Sequence, residues 1–355
     1  MKVAVLPGDI GGCGTYRLIE PAKAVQEARP DWDIRVYPPK GHVKLGLDRR
    51  GRVVQIRDLD PWPDVMVMQR TGTPVLAGAV DYLQSQGVAV VADFDDAMWC
   101  IDRGNTAFGA WNNPHRHRGQ HWSWCDYVAK RADLVTVTTN HLARRYGRHG
   151  RFEVLPNRIP DRWVVEQDSV GPGVAGWAGY LKTHPGDCEV SRPAAERFDC
   201  LRVVGETPGR MGQIWGREVE GIASTPLGPD YFQALAQLGV MLVGLRQTSF
   251  NRAKSTLKVL EAAAAGVPSI AADTPPHRAL AREGFPVLLA STPEEWRLDA
   301  QDLMNPSYYE QMRQFVLEAL PRYLMSTQAE RWAQAWERAA ARSGSGKPRT
   351  VSSSN

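Results

Sequence analysis

Three cations, Arg252, Lys254 and Lys258, crowd the start of a predicted helix in the second half of the chain. The helix macrodipole already makes that end positive, so cations there are unfavourable by a few tenths of a kcal/mol each unless an anion binds beside them. Helix N-termini bind phosphate through their N–H groups. Glu261 is the only acid in the stretch 240–271. It lies roughly 8 Å along the helix from the phosphate site, where a carboxylate can accept hydrogen bonds from ribose hydroxyls.

The surrounding residues predict a strand, a basic loop, a helix and a second strand. The apolar run Val240–Leu245 is typical of a buried parallel strand. Ser255 is a suitable N-cap for a helix over 256–265, which Gly266 ends and Pro268 prevents from resuming. An ordinary amphipathic helix with solvated lysines is the alternative that these residues leave open.

This pattern resembles the donor-binding segment of GT-B glycosyltransferases, particularly the GT4-like group. In that family the Glu binds the ribose of a sugar nucleotide and the helix amides bind its diphosphate. Many members carry an acid eight residues before that Glu, but Ala253 stands there in this chain, so half of the two-Glu signature is missing. The resemblance implies a catalytic role for Lys254, which stabilises the leaving diphosphate, and donor binding by Ser255, Thr256, Lys258 and Glu261.

Other segments resemble the family in their order and spacing. Together they extend the resemblance over about residues 1–325, and they add Lys182 and His184 as donor-binding residues. The segments are Asp93–Asp96 followed by Trp99 (an acidic run of the N-terminal domain), Thr136–Ala143 (a strand-to-helix step), Val154–Asn157 (V-x-P-N), Gly176–Gly179 (the first strand and turn of the C-terminal domain) and His184 with Asp187 (G-x-x-x-H-x-x-D).

Length and composition fit a two-domain globular protein. The chain has 355 residues, of which 43% are hydrophobic, and no apolar run approaches the 18 residues of a membrane span. The N-terminus predicts a strand ended by Pro-Gly-Asp and not a signal peptide. Five scattered cysteines indicate reduced thiols and therefore a cytoplasmic location. A net charge of +4 is too small to identify a partner.

Strands alternate with helices along the chain, which predicts an α/β protein. With the resemblance, the expected fold is GT-B: two Rossmann-like domains that face an interdomain cleft. The expected domains are 1–165 on the acceptor side and 166–327 on the nucleotide-sugar side, with a helix near 328–342 packing back on the first and a disordered tail over 343–355. The predicted strands are Val3–Leu6, Ile34–Tyr37, Val65–Gln69, Val88–Asp93, Leu134–Thr138 and Phe152–Leu155, then Gly173–Gly179, Leu201–Val204, Val219–Ile222, Val240–Leu245, Val267–Ala271 and Val287–Leu289.

An N-terminal glycine loop follows the first strand. Gly12 and Gly14 stand where a dinucleotide site would have them, but Arg17 replaces the third glycine and the second predicted strand ends without an acid. These departures argue against an NAD site. In the resembled family this loop lies near the transferred sugar and the diphosphate, which implies donor binding by Gly12 and Gly14 and neutralisation of the leaving phosphate by Arg17. A tight turn with a solvated Arg17 is the alternative.

The segment 115–151 is basic and rich in aromatic residues. It carries eight Lys or Arg and only two acids, with tryptophans interleaved. In the resembled family the N-terminal domain binds the acceptor, so this segment predicts an anionic acceptor: a phosphorylated lipid or sugar, an acidic glycan or a nucleic acid. A solvated face over buried aromatic side chains is the alternative. The candidate acceptor residues are Trp99, His117, His121, Arg144 and Arg145.

Two groups of residues contain side chains that could bind a metal ion, but neither has the pattern of a metal site. His117, His121 and Cys125 would share one helix face, but no paired zinc-ligand spacing accompanies them. Asp93, Asp95 and Asp96 at a strand end could bind a cation or act as a base, but GT-B catalysis generally uses helix amides and basic residues in place of a metal. We therefore predict no metal and no cofactor, with Asp96 as the candidate catalytic base.

The predicted function is transfer of a sugar from a nucleotide-diphosphate sugar to an acceptor, with retention of configuration implied by the resemblance. Peripheral contact with a membrane is compatible with an anionic acceptor. Two alternatives stay open: a GT-B nucleotide-sugar epimerase, which needs no acceptor, and a non-catalytic module that binds a sugar nucleotide or nucleic acid. The missing acid at position 253 is the main support for the module.

Overall fold

The computed structural model describes residues 1–39, 43–112, 121–166, 170–223 and 226–344. The chain divides into two compact units. Unit 1 comprises the described residues within 1–99, 109–156 and 328–355, and unit 2 comprises those within 100–108 and 157–327. Each unit therefore receives a segment from the far side of the sequence.

Parallel strands form the centre of both units. The strands are β1 (Lys2–Leu6), β2 (Asp33–Val36), β3 (Lys44–Leu47), β4 (Val53–Arg57), β5 (Val65–Gln69), β6 (Ala89–Phe94), β7 (Leu134–Val137), β8 (Phe152–Val154), β9 (Val174–Ala178), β10 (Cys200–Val204), β11 (Glu220–Ile222), β12 (Val240–Val243), β13 (Ser269–Ala272) and β14 (Leu288–Ala290).

Helices connect most of these strands. The longer ones are α1 (Glu20–Ala28), α2 (Pro74–Ser85), α3 (His121–Arg131), α4 (Asn140–Tyr146), α5 (Pro208–Trp215), α6 (Pro229–Leu235), α7 (Leu257–Ala264), α8 (Pro275–Arg282), α9 (Pro293–Met304), α10 (Pro306–Ala319) and α11 (Ala329–Gly344). Shorter helical turns occur at Gly12–Gly14, Phe108–Trp111, Arg192–Ala195 and Asn251–Ala253, and a π-helical turn spans Thr15–Ile19.

Each unit contains a sheet of six parallel strands in a doubly wound order, and β3 pairs with β4 as a separate antiparallel hairpin. The order is β2-β1-β5-β6-β7-β8 in unit 1 and β11-β10-β9-β12-β13-β14 in unit 2. The central strands β5, β6, β7, β12 and β13 are buried along their whole length, which explains why they read as continuous apolar runs. These two sheets confirm the predicted α/β class with two Rossmann-like domains.

Local signals in the sequence fix where several helices begin. The side chains of Thr73 and Thr139 cap α2 and α4 by accepting hydrogen bonds from the N–H groups of Leu76 and Leu142. Thr292 and Glu295 form a complete capping box at α9. Proline also stands in the first turn of α5, α6 and α8, where its missing N–H removes no helical hydrogen bond.

The core of unit 1 includes side chains from the far end of the chain. Trp332 and Trp336 of α11 are buried in the same hydrophobic cluster as β-sheet residues such as Val65 and Val91. The ring centroid of Trp336 lies 6.5 Å from that of Trp32 and 6.2 Å from that of Trp332. The last described helix thus covers one face of the first sheet.

Strand bounds agree with the predictions to within two residues, and the largest differences occur in the central strands β12 and β13. β5 has the predicted bounds, whereas β12 ends two residues earlier than predicted, at Val243, and β13 begins two residues later, at Ser269. The hairpin of β3 and β4 was not predicted, because its strands are short and mostly exposed and carry no continuous apolar run. Part of the predicted tail, from residue 345 onward, lies outside the described residues.

The buried position of Trp336 leads to a stability prediction. Trp336→Ala should lower the free energy of unfolding of unit 1 by about 3–5 kcal/mol, since a large cavity remains in the core. The exposed neighbour Glu337 provides the matched control, and Glu337→Ala should change stability by less than about 0.5 kcal/mol. Hydrogen exchange in denaturant, read peptide by peptide, checks this: equal protection in peptides of the unit 1 sheet for both variants would contradict the packing of α11.

Candidate functional site

Doubly wound sheets bind ligands at the carboxyl ends of their strands, at the point where the strand order reverses. In unit 2 this point lies between β9 and β12. The segment after β9 carries Lys182 and His184, and the segment after β12 carries Lys254 and Ser255. The fold of unit 2 therefore brings the donor-side candidates to one edge of one sheet.

The carboxylate of Asp187 joins these two segments. Its Oδ1 accepts hydrogen bonds from the Arg246 N–H at 3.0 Å and from Asn251 Nδ2 at 2.7 Å. Its Oδ2 lies 3.1 Å from His184 Nδ1. Because Asp187 is buried, these bonds satisfy a charge that has little access to water. The loops after β9 and β12 are thus held together by one side chain.

His184 has a defined ring orientation. The Asp187 carboxylate beside Nδ1 favours a proton on that nitrogen, which leaves Nε2 as an acceptor in the neutral ring. Burial lowers the pKa of His184 to about 4, although the bond to Asp187 opposes the shift. The Trp177 ring packs edge-on, with its centroid 6.0 Å from that of His184. A neutral His184 can therefore accept a hydrogen bond from a hydroxyl group.

Lys258 is held at the carboxyl end of β9. Its Nζ donates to the Ala178 carbonyl at 2.5 Å and lies 5.1 Å from the Trp177 ring centroid. Burial lowers the pKa of Lys258, and the charge of Lys254 adds to the same effect. The cation therefore sits against the backbone and an aromatic face, where it differs from the freely solvated lysine of the alternative interpretation.

The start of α7 differs in detail from the prediction. The helix begins at Leu257, with Thr256 at the N-cap position, and no side chain caps it. The predicted N-cap role of Ser255 is therefore wrong: Ser255 Oγ accepts a hydrogen bond from Asn157 Nδ2 at 3.2 Å instead. The turn Asn251–Ala253 precedes the helix and displaces its start. The first N–H groups of α7 still have no partner within the helix.

Glu261 lies in the second turn of α7 and is 6% exposed. Tyr231 Oη donates to Glu261 Oε2 at 3.3 Å. Burial raises the pKa of Tyr231, and the nearby Glu261 charge raises it further, so Tyr231 stays a hydrogen-bond donor. Sequence reasoning missed Tyr231 because it lies on α6, with no spacing that links it to Glu261.

The glycine loop of unit 1 closes around Asp9. Asp9 Oδ1 accepts hydrogen bonds from the N–H groups of Gly11 at 2.8 Å and Gly14 at 3.1 Å. A Cβ at Gly14 would lie 1.7 Å from the Asp9 carbonyl oxygen, whereas a Cβ at Gly12 would meet nothing within 4 Å. The close approach of the Asp9 carbonyl therefore requires glycine at position 14 whether or not the loop binds a ligand. Donor binding by Gly12 and Gly14 stays a prediction.

The structure places the side chain of Arg17 in the interior of unit 1. Its side chain is 1% exposed and forms a paired ion bridge to Asp93, with Nε–Oδ1 at 3.1 Å and Nη2–Oδ2 at 2.6 Å. Its Nη1 donates to the Leu155 carbonyl at 2.5 Å, and the guanidinium lies 5.1 Å from the Trp332 ring centroid. The predicted neutralisation of a leaving phosphate does not fit this placement, because every face of the guanidinium is covered inside unit 1. The solvated-Arg alternative is equally wrong.

Arg70, which sequence reasoning missed, contacts several carboxylates in unit 1. It lies near the point between β1 and β5 at which the strand order of the sheet reverses. Its Nε and Nη2 lie 2.7 and 2.6 Å from the two oxygens of Asp95, and Nη2 lies 3.3 Å from Asp96 Oδ2. Its Nη1 lies 3.4 Å from Asp9 Oδ2. The backbone φ of Arg70 is +52°, which is uncommon for a residue with a side chain. Asp96 is therefore an ion-pair partner, and its role as a base stays a prediction.

A possible metal-ligand group occurs at the same place. The ligand atoms of Cys13, Asp95 and Asp96 lie within 4.8 Å of one another. Both carboxylates already bind Arg70, and burial raises the pKa of Cys13 to about 12. This set therefore holds a guanidinium and a neutral thiol, which fits a metal ion poorly.

The basic segment of unit 1 is partly neutralised internally. Arg145 bonds to both oxygens of Asp126, at 2.8 and 2.6 Å, and its guanidinium lies 4.5 Å from the Trp99 ring centroid. It also lies 5.1 Å from the Trp122 ring centroid. Arg144 is exposed. His121 packs edge-on to Trp111, and His117 lies outside the described residues.

Comparison with known proteins identifies the fold. No protein-family model and no curated protein sequence matches the chain. HepE from Anabaena, solved with UDP and glucose, matches with a TM-score of 0.62 and 11% identity over 95% of this chain and 99% of HepE. Sucrose-phosphate synthase from Thermosynechococcus elongatus matches with a TM-score of 0.63 and 12% identity, over 96% of this chain and 99% of that one.

A third similar structure is AviGT4, a glycosyltransferase involved in avilamycin A biosynthesis. It matches with a TM-score of 0.56 and 15% identity, over 96% of this chain and 98% of that one. Identities this low establish the fold alone, and the fold is the predicted GT-B fold. Among the described residues, no helix combines the length and apolar character needed to cross a membrane.

The glycine loop offers a matched pair of substitutions. Gly14→Ala should destabilise unit 1 by about 3 kcal/mol, because the new Cβ overlaps the Asp9 carbonyl oxygen. Gly12→Ala should change stability by less than about 0.5 kcal/mol, because its Cβ points into open space. Denaturant unfolding of both variants checks this, and a stable Gly14→Ala protein would contradict the placement of the Asp9 turn.

Proposed function

We propose that this protein is a glycosyltransferase that moves a sugar from a nucleotide-diphosphate sugar to an acceptor. The observation that carries the proposal is the start of α7 at the strand-order reversal of unit 2. There the partly buried Lys254 lies just before the helix, and the partly buried Lys258 precedes the buried Glu261 within it. The solved structure of HepE, which shares the fold, contains UDP-glucose, and this supports a nucleotide sugar as the donor.

In this proposal the leaving diphosphate lies at the N-terminus of α7. The bond between the anomeric carbon and the phosphate oxygen breaks, and the acceptor oxygen forms the new bond and loses its proton to a base. Lys254, Lys182 and the first N–H groups of α7 stabilise the negative charge that develops on the diphosphate. Each well-placed donor of this kind contributes roughly 3–4 kcal/mol to the transition state.

The remaining contacts hold the two ends of the donor. Glu261 accepts hydrogen bonds from the ribose hydroxyls, and its contact with Tyr231 fixes one carboxylate oxygen. The neutral His184 accepts a hydrogen bond from a sugar hydroxyl through Nε2, since Asp187 occupies the other side of the ring. The proposed transfer retains the configuration of the anomeric carbon and needs no metal ion. Both of these points rest on the GT4-like resemblance.

The acceptor is proposed to be anionic and to bind unit 1. A cavity of about 350 Å³ beside α3 and α4 is lined by Lys130, Arg145 and Arg148, with Asp126 as the one acid among its lining residues. Because Asp126 is paired with Arg145, the exposed Lys130 and Arg148 provide the net positive charge. This excess of cations favours a phosphorylated or acidic acceptor.

The proposed donor site predicts that two substitutions affect nucleotide binding and turnover differently. Glu261→Ala should weaken binding of the preferred nucleoside diphosphate by about 1.5–3 kcal/mol, as a charged hydrogen-bonding partner of two hydroxyls is lost. Lys254→Ala should lower kcat more than it weakens binding, because the diphosphate gains charge in the transition state. Calorimetry against a panel of nucleoside diphosphates, with turnover of the matching nucleotide sugars, measures both.

Controls separate this site from general effects on the fold. Tyr231→Phe keeps the Glu261 carboxylate and removes only the hydroxyl that donates to it, so it should weaken nucleotide binding less than Glu261→Ala does. Unchanged nucleotide affinity in Glu261→Ala would refute the donor site. Turnover of a nucleotide sugar to its epimer without acceptor would favour the epimerase, and binding without any turnover would favour the non-catalytic module.

The acceptor assignment predicts a defect that depends on salt. Lys130→Glu with Arg148→Glu should raise KM for an anionic acceptor at low salt and leave nucleotide affinity unchanged. The defect should shrink as salt rises, because exposed charges are screened over about 8 Å at physiological ionic strength. The matched control reverses Arg197 and Arg282, two exposed cations of unit 2. Equal acceptor kinetics in the two double variants would remove the cavity from the acceptor site.

A further inference from the structure

The hairpin of β3 and β4 holds an unusual share of the positive charge of the chain. Residues 44–57 contain five cations, Lys44, Arg49, Arg50, Arg52 and Arg57, and a single acid, Asp48. Their net charge of +4 equals that of all 355 residues, so the rest of the protein is neutral in sum. Lys44 is paired with Asp58, just beyond the segment, at 3.0 Å between Nζ and Oδ2. The remaining cations still form a positive patch that can steer an anionic partner.

The turn of the hairpin leaves two arginines without neutralising groups. Asp48 Oδ1 accepts hydrogen bonds from the N–H groups of Arg50 at 2.8 Å and Arg52 at 2.9 Å, and its Oδ2 pairs with Arg52 Nε at 2.8 Å. Gly51, with φ +73°, completes the turn. The single acid is therefore fully used by the turn and by Arg52. Within the described part of the chain, no ion pair involves Arg49 or Arg50.

Only one face of the hairpin is fixed to the rest of unit 1. Val53 and Ile56 are buried, and Val53 Cγ2 approaches Gly78 of α2, where an added Cβ would lie 3.4 Å away. At the tip, by contrast, Leu47 is 47% exposed and Val54 is 53% exposed. The tip therefore presents two aliphatic side chains beside two unpaired arginines.

We propose that the hairpin tip, residues 47–54, docks unit 1 on an anionic lipid surface. Arginines near such a surface are attracted by its negative potential, and partly exposed aliphatic side chains gain by entering the boundary between headgroups and acyl chains. A nucleic acid would also attract the cations, but the segment 47–54 has no aromatic ring on which a base could stack, and its aliphatic side chains would gain little. The proposal is independent of the transferase function.

The test uses the full-length protein and two kinds of vesicle. Co-sedimentation is measured with vesicles of phosphatidylcholine containing 30 mol% phosphatidylglycerol, and with pure phosphatidylcholine, in buffer of low salt. We expect binding to the anionic vesicles only. Arg49→Gln with Arg50→Gln should weaken that binding about 30-fold. Leu47→Ser with Val54→Ser should weaken it about tenfold.

The control replaces Arg197 and Arg282 of unit 2 with Gln, which removes the same charge from exposed positions elsewhere. This variant should bind the anionic vesicles within about twofold of the original protein, since neither removed cation belongs to the hairpin. Equal loss in the two Arg double variants would overturn the proposal, as would no vesicle binding at all. Binding of a 25-base-pair DNA duplex that depends on Arg49 and Arg50, with no vesicle binding, would overturn it in favour of nucleic acid.

Discussion

The geometry of unit 2 depends on the satisfaction of one buried carboxylate. The buried side chain of Asp187 has little access to water, so its oxygens need hydrogen bonds from donors of the protein. Those donors lie on separate stretches of chain, the loop after β9 with His184 and the loop after β12 with Arg246 and Asn251. The second loop leads into α7, so the hydrogen bonds of Asp187 hold the segment that precedes this helix. A more exposed acid would not impose this constraint, because water could replace any one donor.

Unit 1 uses a different arrangement of charges at the corresponding edge of its sheet. Two guanidinium–carboxylate pairs, Arg17–Asp93 and Arg70–Asp95, lie at the carboxyl ends of its central strands. Paired geometry of this kind is directional and strong. Asp93 is committed to the interior, since Thr136 Oγ1 also donates to it at 2.6 Å. The acidic run begins inside β6: Asp93 and Asp95 are buried in their arginine pairs, whereas Asp96, which also contacts Arg70, is partly exposed.

Local sequence patterns were sufficient to predict most of the strands and several of the helices. Contacts between residues far apart in sequence could not be predicted from them. The bounds of β5 match the sequence prediction because a buried strand is encoded in adjacent apolar residues. Placement near the carboxyl end of a parallel strand could also be expected for Lys254 and Glu261, since both follow the predicted strand Val240–Leu245 in sequence. The partners Tyr231 of Glu261 and Arg70 of Asp95 could not, because no periodicity relates residues that only the fold brings together. Arg17 shows the same limit: its neighbours in sequence resemble a phosphate loop, and only the tertiary structure reveals that the side chain is buried.

The position of α11 bears on how the chain folds as it is synthesised. Trp332 and Trp336 complete a core whose other side chains come mostly from the first 160 residues. The sheet of unit 1 therefore emerges from the ribosome long before the helix that covers it, while unit 2 has all of its segments available earlier. Domains otherwise tend to fold from the N-terminus during synthesis. Here unit 1, whose chain begins first, receives its last helix only after all segments of unit 2 are complete, and until then α11 does not cover its apolar sheet face.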